Sequence, residues 1–237
     1  MRVILTGAAG RMGQNVCSLN NITVTEKVDP TLDIKSISQC TGEGAQGIID
    51  FSHHTAAPEI CRFAVEHSLP VVIATTGHTP QELEMIADAA KSVPVFHSAN
   101  MSLGVATLCA LAKKAAAAFP DADIEIVECH HNRKLDAPSG TALMLAREIS
   151  EVREDAQLVF GRSGQAKREK NEIGVHALRM GNIVGEHTVM ISTDTQRITL
   201  KHEAMDRKLF AEGAASAMEF LMGCTAGLYD MKDMVEK

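Results

Sequence analysis

No basic excess exists in this chain of 237 residues: 23 lysines and arginines stand against 30 aspartates and glutamates, a formal net charge of −7. A nucleic-acid-binding protein carries a basic excess or a basic stripe, so that class is set aside. No apolar run approaches the roughly 18 residues that a transmembrane helix needs, and no membrane partner is expected. Met1 to Gly7 passes directly into strand and turn, which leaves no room for a signal or transit peptide. No Cys-x-x-Cys pair occurs among Cys17, Cys40, Cys61, Cys109, Cys129 and Cys224. Set mostly in apolar contexts, they read as buried, reduced thiols of a cytoplasmic protein. Internal repeats and low-complexity stretches are also absent. What is present is ordinary for a globular protein, with 45% hydrophobic residues and length for one large domain or two small ones.

The first hundred residues alternate strand and helix. Val3–Leu5 leads into a glycine-rich turn, and a helix then carries Met12, Val16 and Leu19 on one face. Ile22–Val28 and Gly47–Phe51 are further strands. Pro58 suits the first turn of a helix that sets Ile60, Phe63, Ala64 and His67 at i, i+3, i+4 and i+7. Pro70–Thr75 reads as a buried strand. Thr79-Pro80-Gln81-Glu82 is a capping box with proline at the first helical position. Its helix carries Leu83, Ile86, Ala87 and Ala90, and Val93–His97 follows as a strand. This βαβα rhythm predicts a parallel, doubly wound sheet.

Beyond an alanine-rich helix from Leu103 to Phe119 the pattern changes. Ile124–Cys129, Leu158–Phe160, Ile173–Arg179, Glu186–Ser192 and Arg197–Glu203 read as strands, with one clear helix among them beginning near Thr141. Strands in succession predict a mixed or antiparallel sheet. The fold class is therefore α/β plus α+β, with a second domain inserted over 102–209. Residues 210–237 read as helical and return to the first domain. Arg162–Asn171, polar and basic, reads as a mobile loop.

Two regions carry chemistry. Gly7-Ala8-Ala9-Gly10-Arg11-Met12-Gly13 joins the first strand to the first helix as G-x-x-G-x-x-G. Such a loop brings backbone N–H groups to a pyrophosphate, and its other reading is a plain tight turn. Asp29, at the end of the second strand, can accept hydrogen bonds from a ribose and would repel a 2′-phosphate, which favours NADH over NADPH. Arg11 and Lys27 are the cations at hand to offset that, and the alternative for Asp29 is a turn aspartate before Pro30. Thr75-Thr76-Gly77 and Asn100-Met101 follow buried strands, where ligands bind in open parallel sheets.

The second region is Glu128-Cys129-His130-His131-Asn132-Arg133-Lys134-Leu135-Asp136-Ala137-Pro138-Ser139-Gly140-Thr141. It places two histidines and two basic residues at a strand end, and Ser-Gly-Thr then opens a helix. Free N–H groups and hydroxyls at a helix start suit a carboxylate. Histidine suits proton transfer near neutrality. The set fits a small dicarboxylate that takes a hydride and a proton. The plainer readings are a capped helix and a hydrogen-bonded core histidine. His53-His54 and His130-His131 are adjacent pairs without metal-ligand spacing, so no native metal is expected.

Glu128–Thr141 resembles the E-x-H-H-x-x-K-x-D-A-P-S-G-T signature of the dihydrodipicolinate reductase family. Gly7–Gly13 is similar to its G-x-x-G-R-M-G loop, Ala74–Gly77 to its G-T-T-G loop, and Asn100–Ser102 to its A-N-[FM]-S segment. Arg179–His187 resembles its R-x-G-x-I-V-G-E-H strand pair, and Phe210–Ala214 and Gly227–Met231 its C-terminal motifs. The likeness spans the chain. It implies a Rossmann-type dinucleotide-binding domain over 1–101, completed by 210–237, and a mixed-sheet substrate and oligomerisation domain that builds a homotetramer. It implies reduction of 4-hydroxy-tetrahydrodipicolinate with loss of water, in lysine and diaminopimelate biosynthesis, by NADH and/or NADPH.

Carried over, His130 is the acid and Lys134 its partner; His131 contacts the substrate, and Ser139, Gly140 and Thr141 bind a carboxylate. Gly7, Gly10, Arg11, Met12, Gly13, Asp29, Ala74, Thr75, Thr76, Ser98, Ala99, Asn100 and Met101 would line the cofactor. Ala74 departs from the family's first glycine, and His54 stands where proline is common. The competing readings are a dehydrogenase of another small amino or imino acid, a non-catalytic dinucleotide sensor, and a structural partner protein. The Asp136–Thr141 run argues against the first, the intact His130, His131 and Lys134 against the second, and the glycine loop against the third.

Overall fold

The computed structural model describes residues 1–236. The chain divides into two compact units, Met1–Leu103 joined by the segment from Arg207 onward, and Gly104–Asp206. The first holds β1 (Arg2–Thr6), α1 (Arg11–Cys17), β2 (Thr23–Val28), β3 (Gly47–Asp50), α2 (Ala57–Glu66), β4 (Val71–Ile73), α3 (Pro80–Ala89) and β5 (Pro94–His97). It is completed by α6 (Lys208–Leu221), β11 (Gly227–Tyr229) and α7 (Met231–Val235). The strands run parallel in the order β2-β1-β3-β4-β5-β11. Helices cover parallel sheets on both faces, which is why the inner strands β1, β3 and β4 are rich in buried apolar residues, whereas the edge strand β2 exposes Thr23, Thr25 and Lys27. Val3, Ile4, Leu5, Ile48, Ile49, Val71, Val72 and Ile73 are all fully buried. Strand order reverses between β1 and β3, so the loops after these two strands diverge and leave a crevice.

The expected capping box is present, with Thr79 accepting the Glu82 N–H and Glu82 accepting the Thr79 N–H. His67 is not on the buried face of α2. It is the C-terminal cap and is exposed, because the chain leaves the helix one residue before it. Leu83 is 42% exposed at the solvent side of α3. The C-terminal segment is not wholly helical, since Gly227–Tyr229 adds an edge strand beside Pro94–Phe96. Three residues are too few to show a period of two, and only pairing reveals them.

The second unit holds α4 (Leu103–Ala118), which starts at the junction, then β6 (Asp123–His130), α5 (Gly140–Ser150), β7 (Gln157–Phe160), β8 (Glu172–Arg179), β9 (Gly185–Ser192) and β10 (Arg197–Ala204). Its sheet is mixed, in the order β10-β9-β6-β8-β7, with β6, β8 and β7 parallel and β9 antiparallel to both its neighbours. Val105, Leu108, Leu145 and Ile149 of the two helices pack on Ile124, Ile126, Val189 and Ile191 of the sheet. The basic loop before β8 is tethered rather than loose. Arg168 pairs with Asp123 at 2.8 Å and with Glu125, both on β6. No helix among the described residues is long and apolar enough to cross a membrane.

Candidate active site

Side chains alternate across a strand, so one face of β6 runs Ile124, Ile126, Glu128, His130. Register sets His187 of β9 opposite Glu128 and Arg179 of β8 opposite His130. The apolar row of the core thus ends in polar chemistry. Glu128 is fully buried and His130 is 8% exposed. His130 Nδ1 lies 2.6 Å from one Glu128 oxygen. Arg179 donates to both oxygens at 2.8 Å, and the Ser139 N–H donates at 3.0 Å. A buried carboxylate persists only with this degree of pairing. Burial pushes the Glu128 carboxyl up, yet the bonds from Arg179, His130 and Ser139 together outweigh it and hold it below its ordinary value. With Nδ1 engaged, Nε2 is the ring atom left for another molecule.

Ser139 caps α5 by accepting the Ala142 N–H at 3.2 Å, and its hydroxyl lies 3.1 Å from His187 Nε2. That hydroxyl is spent within the fold, and Ser139 is 2% exposed. The neighbouring Gly140 is exposed and Thr141 half-buried at the helix start. The His131 N–H bonds the Ile183 carbonyl at 2.8 Å, and the Lys134 N–H bonds the His131 carbonyl at 3.1 Å. These bonds fix the loop after β6 against the β8–β9 connection. Lys134 Nζ stands 2.9 Å from Asp136 with its side chain 23% exposed. Glu128, Asp136, Arg179 and His187 received no role from sequence reasoning. Glu128 and Asp136 sat inside the conspicuous run, and Arg179 and His187 open and close a second motif, but the register that brings the two together leaves no local signal.

His187 is buried, and burial first, then the nearby His130, depresses its imidazole to about 4. A base depressed in the fold takes up its proton more readily when unfolded, so stability is complete above the ordinary value of 6.5 and falls as pH drops toward 4. The loss reaches about 3 kcal/mol. His187→Asn is expected to flatten that limb in a plot of melting temperature against pH. An unchanged slope would assign the limb to other groups.

In the first unit, Gly7 has φ of 75°, and a Cβ there would lie 2.3 Å from the Phe51 carbonyl oxygen. Only glycine lets the loop after β1 run this close to the chain leaving β3. A cavity of about 390 Å³ opens beside it, lined by Gly7, Gly10, Asp29, Lys35, Phe51 and His53 among others. A second hollow of about 260 Å³ shares Phe51, Ser52 and His53 and adds Ala74, Thr75 and Thr76. Asp29 is both turn residue and cavity wall: it accepts the Thr31 hydroxyl at 2.7 Å, the Thr31 N–H at 3.0 Å and the Ala9 N–H at 3.3 Å. The Thr31 bonds above all hold its carboxyl below the ordinary range.

The Thr75 hydroxyl is turned inward, donating at 2.6 Å to Asp50. The buried Asp50 also takes the Thr6 hydroxyl at 2.6 Å and the Ser52 N–H at 2.9 Å, tying together the ends of β1, β3 and β4. Arg11, Met12 and Gly13 stand in the first turn of α1, outside the cavity lining. The Ser98 hydroxyl donates to the Asn100 carbonyl at 2.9 Å, and Asn100 Oδ1 accepts the Ser102 N–H at 2.9 Å. Ala99 is exposed, and Met101 is a core residue at 3% exposure. Lys35 was not foreseen at the cavity; it follows an irregular turn that no periodicity marks. Among the described residues no cluster of three or more histidine, cysteine, aspartate or glutamate side chains is placed to hold a metal ion.

The family model for the N-terminus of dihydrodipicolinate reductase matches residues 1–101, and that for the C-terminus matches 104–235. The 4-hydroxy-tetrahydrodipicolinate reductase of Caldanaerobacter subterraneus subsp. tengcongensis is 43% identical, covering 100% of this chain and 99% of the relative. That of Clostridium novyi is 41% identical, over 99% and 98% respectively. The dipicolinate-bound dihydrodipicolinate reductase from Paenisporosarcina sp. TG-14 shares the fold at a TM-score of 0.83 and 24% identity, over 99% of both chains. Two matched halves and full-length relatives agree: the chain belongs to the dihydrodipicolinate reductase family, whose members are oxidoreductases.

Proposed function

We propose that this protein reduces 4-hydroxy-tetrahydrodipicolinate to tetrahydrodipicolinate with loss of water, a step of lysine and diaminopimelate biosynthesis. The observation that carries the reading is the buried Glu128–His130 pair at the sheet end from which Lys134 and the start of α5 also project. A bound reduced nicotinamide supplies the hydride. His130 Nε2 supplies the proton to the carbon skeleton. Lys134 and the backbone at Gly140 and Thr141 hold the two carboxylates, His131 contacts the substrate, and Ser139 aims the helix start. The relative crystallised with dipicolinate, a planar dicarboxylate, supports this substrate class.

The cofactor residues are those of the crevice: backbone at Gly7 and Gly10 for the pyrophosphate, with Arg11, Met12 and Gly13 holding the loop behind it. Asp29 serves the adenosine ribose, and Ala74, Thr75, Thr76 and Ser98–Met101 the nicotinamide end. NADH is the preferred donor, because the Asp29 carboxylate meets a 2′-phosphate as a like charge. Lys35 on the same wall lets NADPH compete. Asp29→Ser is expected to move the ratio of kcat/KM values toward NADPH; a fixed ratio would remove Asp29 from cofactor choice.

Lys134→Ala is expected to weaken pyridine-2,6-dicarboxylate binding by about tenfold or more, the size of one charge-assisted hydrogen bond. Titration calorimetry with that ligand reads the effect, and unaltered affinity would mean that Lys134 holds no carboxylate. The protein assembles as a homotetramer through the second sheet, a reading supported by Leu178, 48% exposed on the face away from α4 and α5. Light scattering of the purified chain measures it, and a monomeric mass would refute it.

A further inference from the structure

His130 acts as the acid through Nε2 only if its other ring nitrogen keeps a hydrogen, and the surroundings of Glu128 decide that. We infer that Glu128, held by Arg179, is a positioning residue that keeps His130 in the Nδ1–H form and so reserves Nε2 for exchange with the substrate. This rests on the proposed reductase role of His130.

Glu128 has two oxygens, and each already has two donors. One oxygen faces His130 Nδ1 at 2.6 Å and Arg179 at 2.8 Å. The other faces Arg179 at 2.8 Å and the Ser139 N–H at 3.0 Å. An ionised carboxylate accepts only, so the His130 nitrogen facing it must bear a hydrogen. Arg179 cannot give up its proton, and the Ser139 N–H is a fixed backbone donor. Both keep the carboxylate an anion, so it does not take the His130 proton itself. When Nε2–H passes to the substrate, the imidazole is left as the Nδ1–H tautomer that Glu128 already holds. No ring flip or second proton movement intervenes. Next to the ring stands His187, edge-on at 5.2 Å between centroids and depressed to about 4. It is therefore neutral and adds no competing charge.

The far edge of the imidazole is confined as well. A Cβ built on Gly185 would lie 2.9 Å from His130 Nε2. A bare backbone at that position leaves the Nε2 edge its place, while Glu128 holds the opposite edge.

Glu128→Gln makes a sharp test. An amide presents one acceptor and one donor where the carboxylate presents two acceptors. Turned toward Arg179 and Ser139, the amide nitrogen would confront two donors that cannot change. Turned toward His130, it meets one fixed donor, on Arg179, and a ring that can change, by moving its hydrogen to Nε2. The substitution is therefore expected to invert the tautomer. Nitrogen-15 spectra of the imidazoles in the full-length protein, above the titration range, read this directly, assigned by comparison with His130→Gln. The expected result is Nδ1–H in the unaltered protein and Nε2–H in Glu128→Gln. With it, kcat should fall by about 10²-fold, the size of a misplaced general acid, while NADH affinity is retained. Glu128→Asp, which keeps the charge, should keep the Nδ1–H form. A folded Glu128→Gln protein that retains Nδ1–H overturns the inference. If that variant does not fold, Nε2–H in Glu128→Asp overturns it equally. An inverted tautomer with unchanged kcat would uphold the positioning and instead contradict His130 as the acid.

Discussion

Replacing His130 by glutamine is expected to lower kcat by about 10²-fold or more, the contribution of one positioned general acid. Glutamine has similar reach and can hydrogen-bond, but it has no proton to transfer near neutrality. The loss should fall on kcat, because His130 is asked to act on the reacting atoms and the dinucleotide contacts proposed above lie on other residues. NADH affinity, followed by quenching of its own fluorescence, should therefore stay near that of the unaltered protein. A variant with normal kcat would remove His130 from proton transfer. One that loses NADH binding as well would point to a folding defect.

Arg179→Met carries the largest expected cost in stability. Arg179 supplies two of the four hydrogen bonds on a fully buried carboxylate. Removing one partner of a buried ion pair leaves its mate stranded, typically at 3–5 kcal/mol. The Arg179 side chain is 19% exposed, so the lower end, about 3 kcal/mol, is expected. The sign with pH is fixed by Glu128. Its carboxyl lies below the ordinary value in the fold, so the pair stabilises above that value and the contribution is lost as pH falls through the folded one. The deficit of Arg179→Met should accordingly be full at neutral pH and shrink in acid. Hydrogen exchange at the amides of β6 and β8 isolates the unit concerned. Equal protection in the two proteins at neutral pH would show that Glu128 does not depend on Arg179.

The parallel sheet was legible because its inner strands are apolar and separated by amphipathic helices, one of them opened by a capping box. The Thr79 box and Pro58 marked two helix starts to within a residue. The second sheet was legible from strands following one another with little helix between. What escaped was set by pairing across the chain. β11 is three residues long and exists only because β5 offers it an edge. At the candidate site, the glycine loop and the His130–Thr141 run stood out locally, since each packs unusual residues into one turn. The roles of Arg179 and His187 did not, because they come from strands β8 and β9, and the register that delivers them is a property of the folded sheet. Ser139 and Thr75 show the opposite limit. Both stand in motifs that the sequence marks, but that their hydroxyls are turned to partners within the fold is visible only in the structure.

The most direct test of the central claim is turnover itself. Purified protein is mixed with the freshly prepared condensation product of aspartate semialdehyde and pyruvate, and loss of reduced-nicotinamide absorbance is followed with NADH and then NADPH. Rapid oxidation that requires the condensation product, faster per unit concentration with NADH, is the expected result. No oxidation with either dinucleotide, while NADH still binds, would contradict the reductase assignment and return the chain to the reading of a dinucleotide sensor or a dehydrogenase of another small acid.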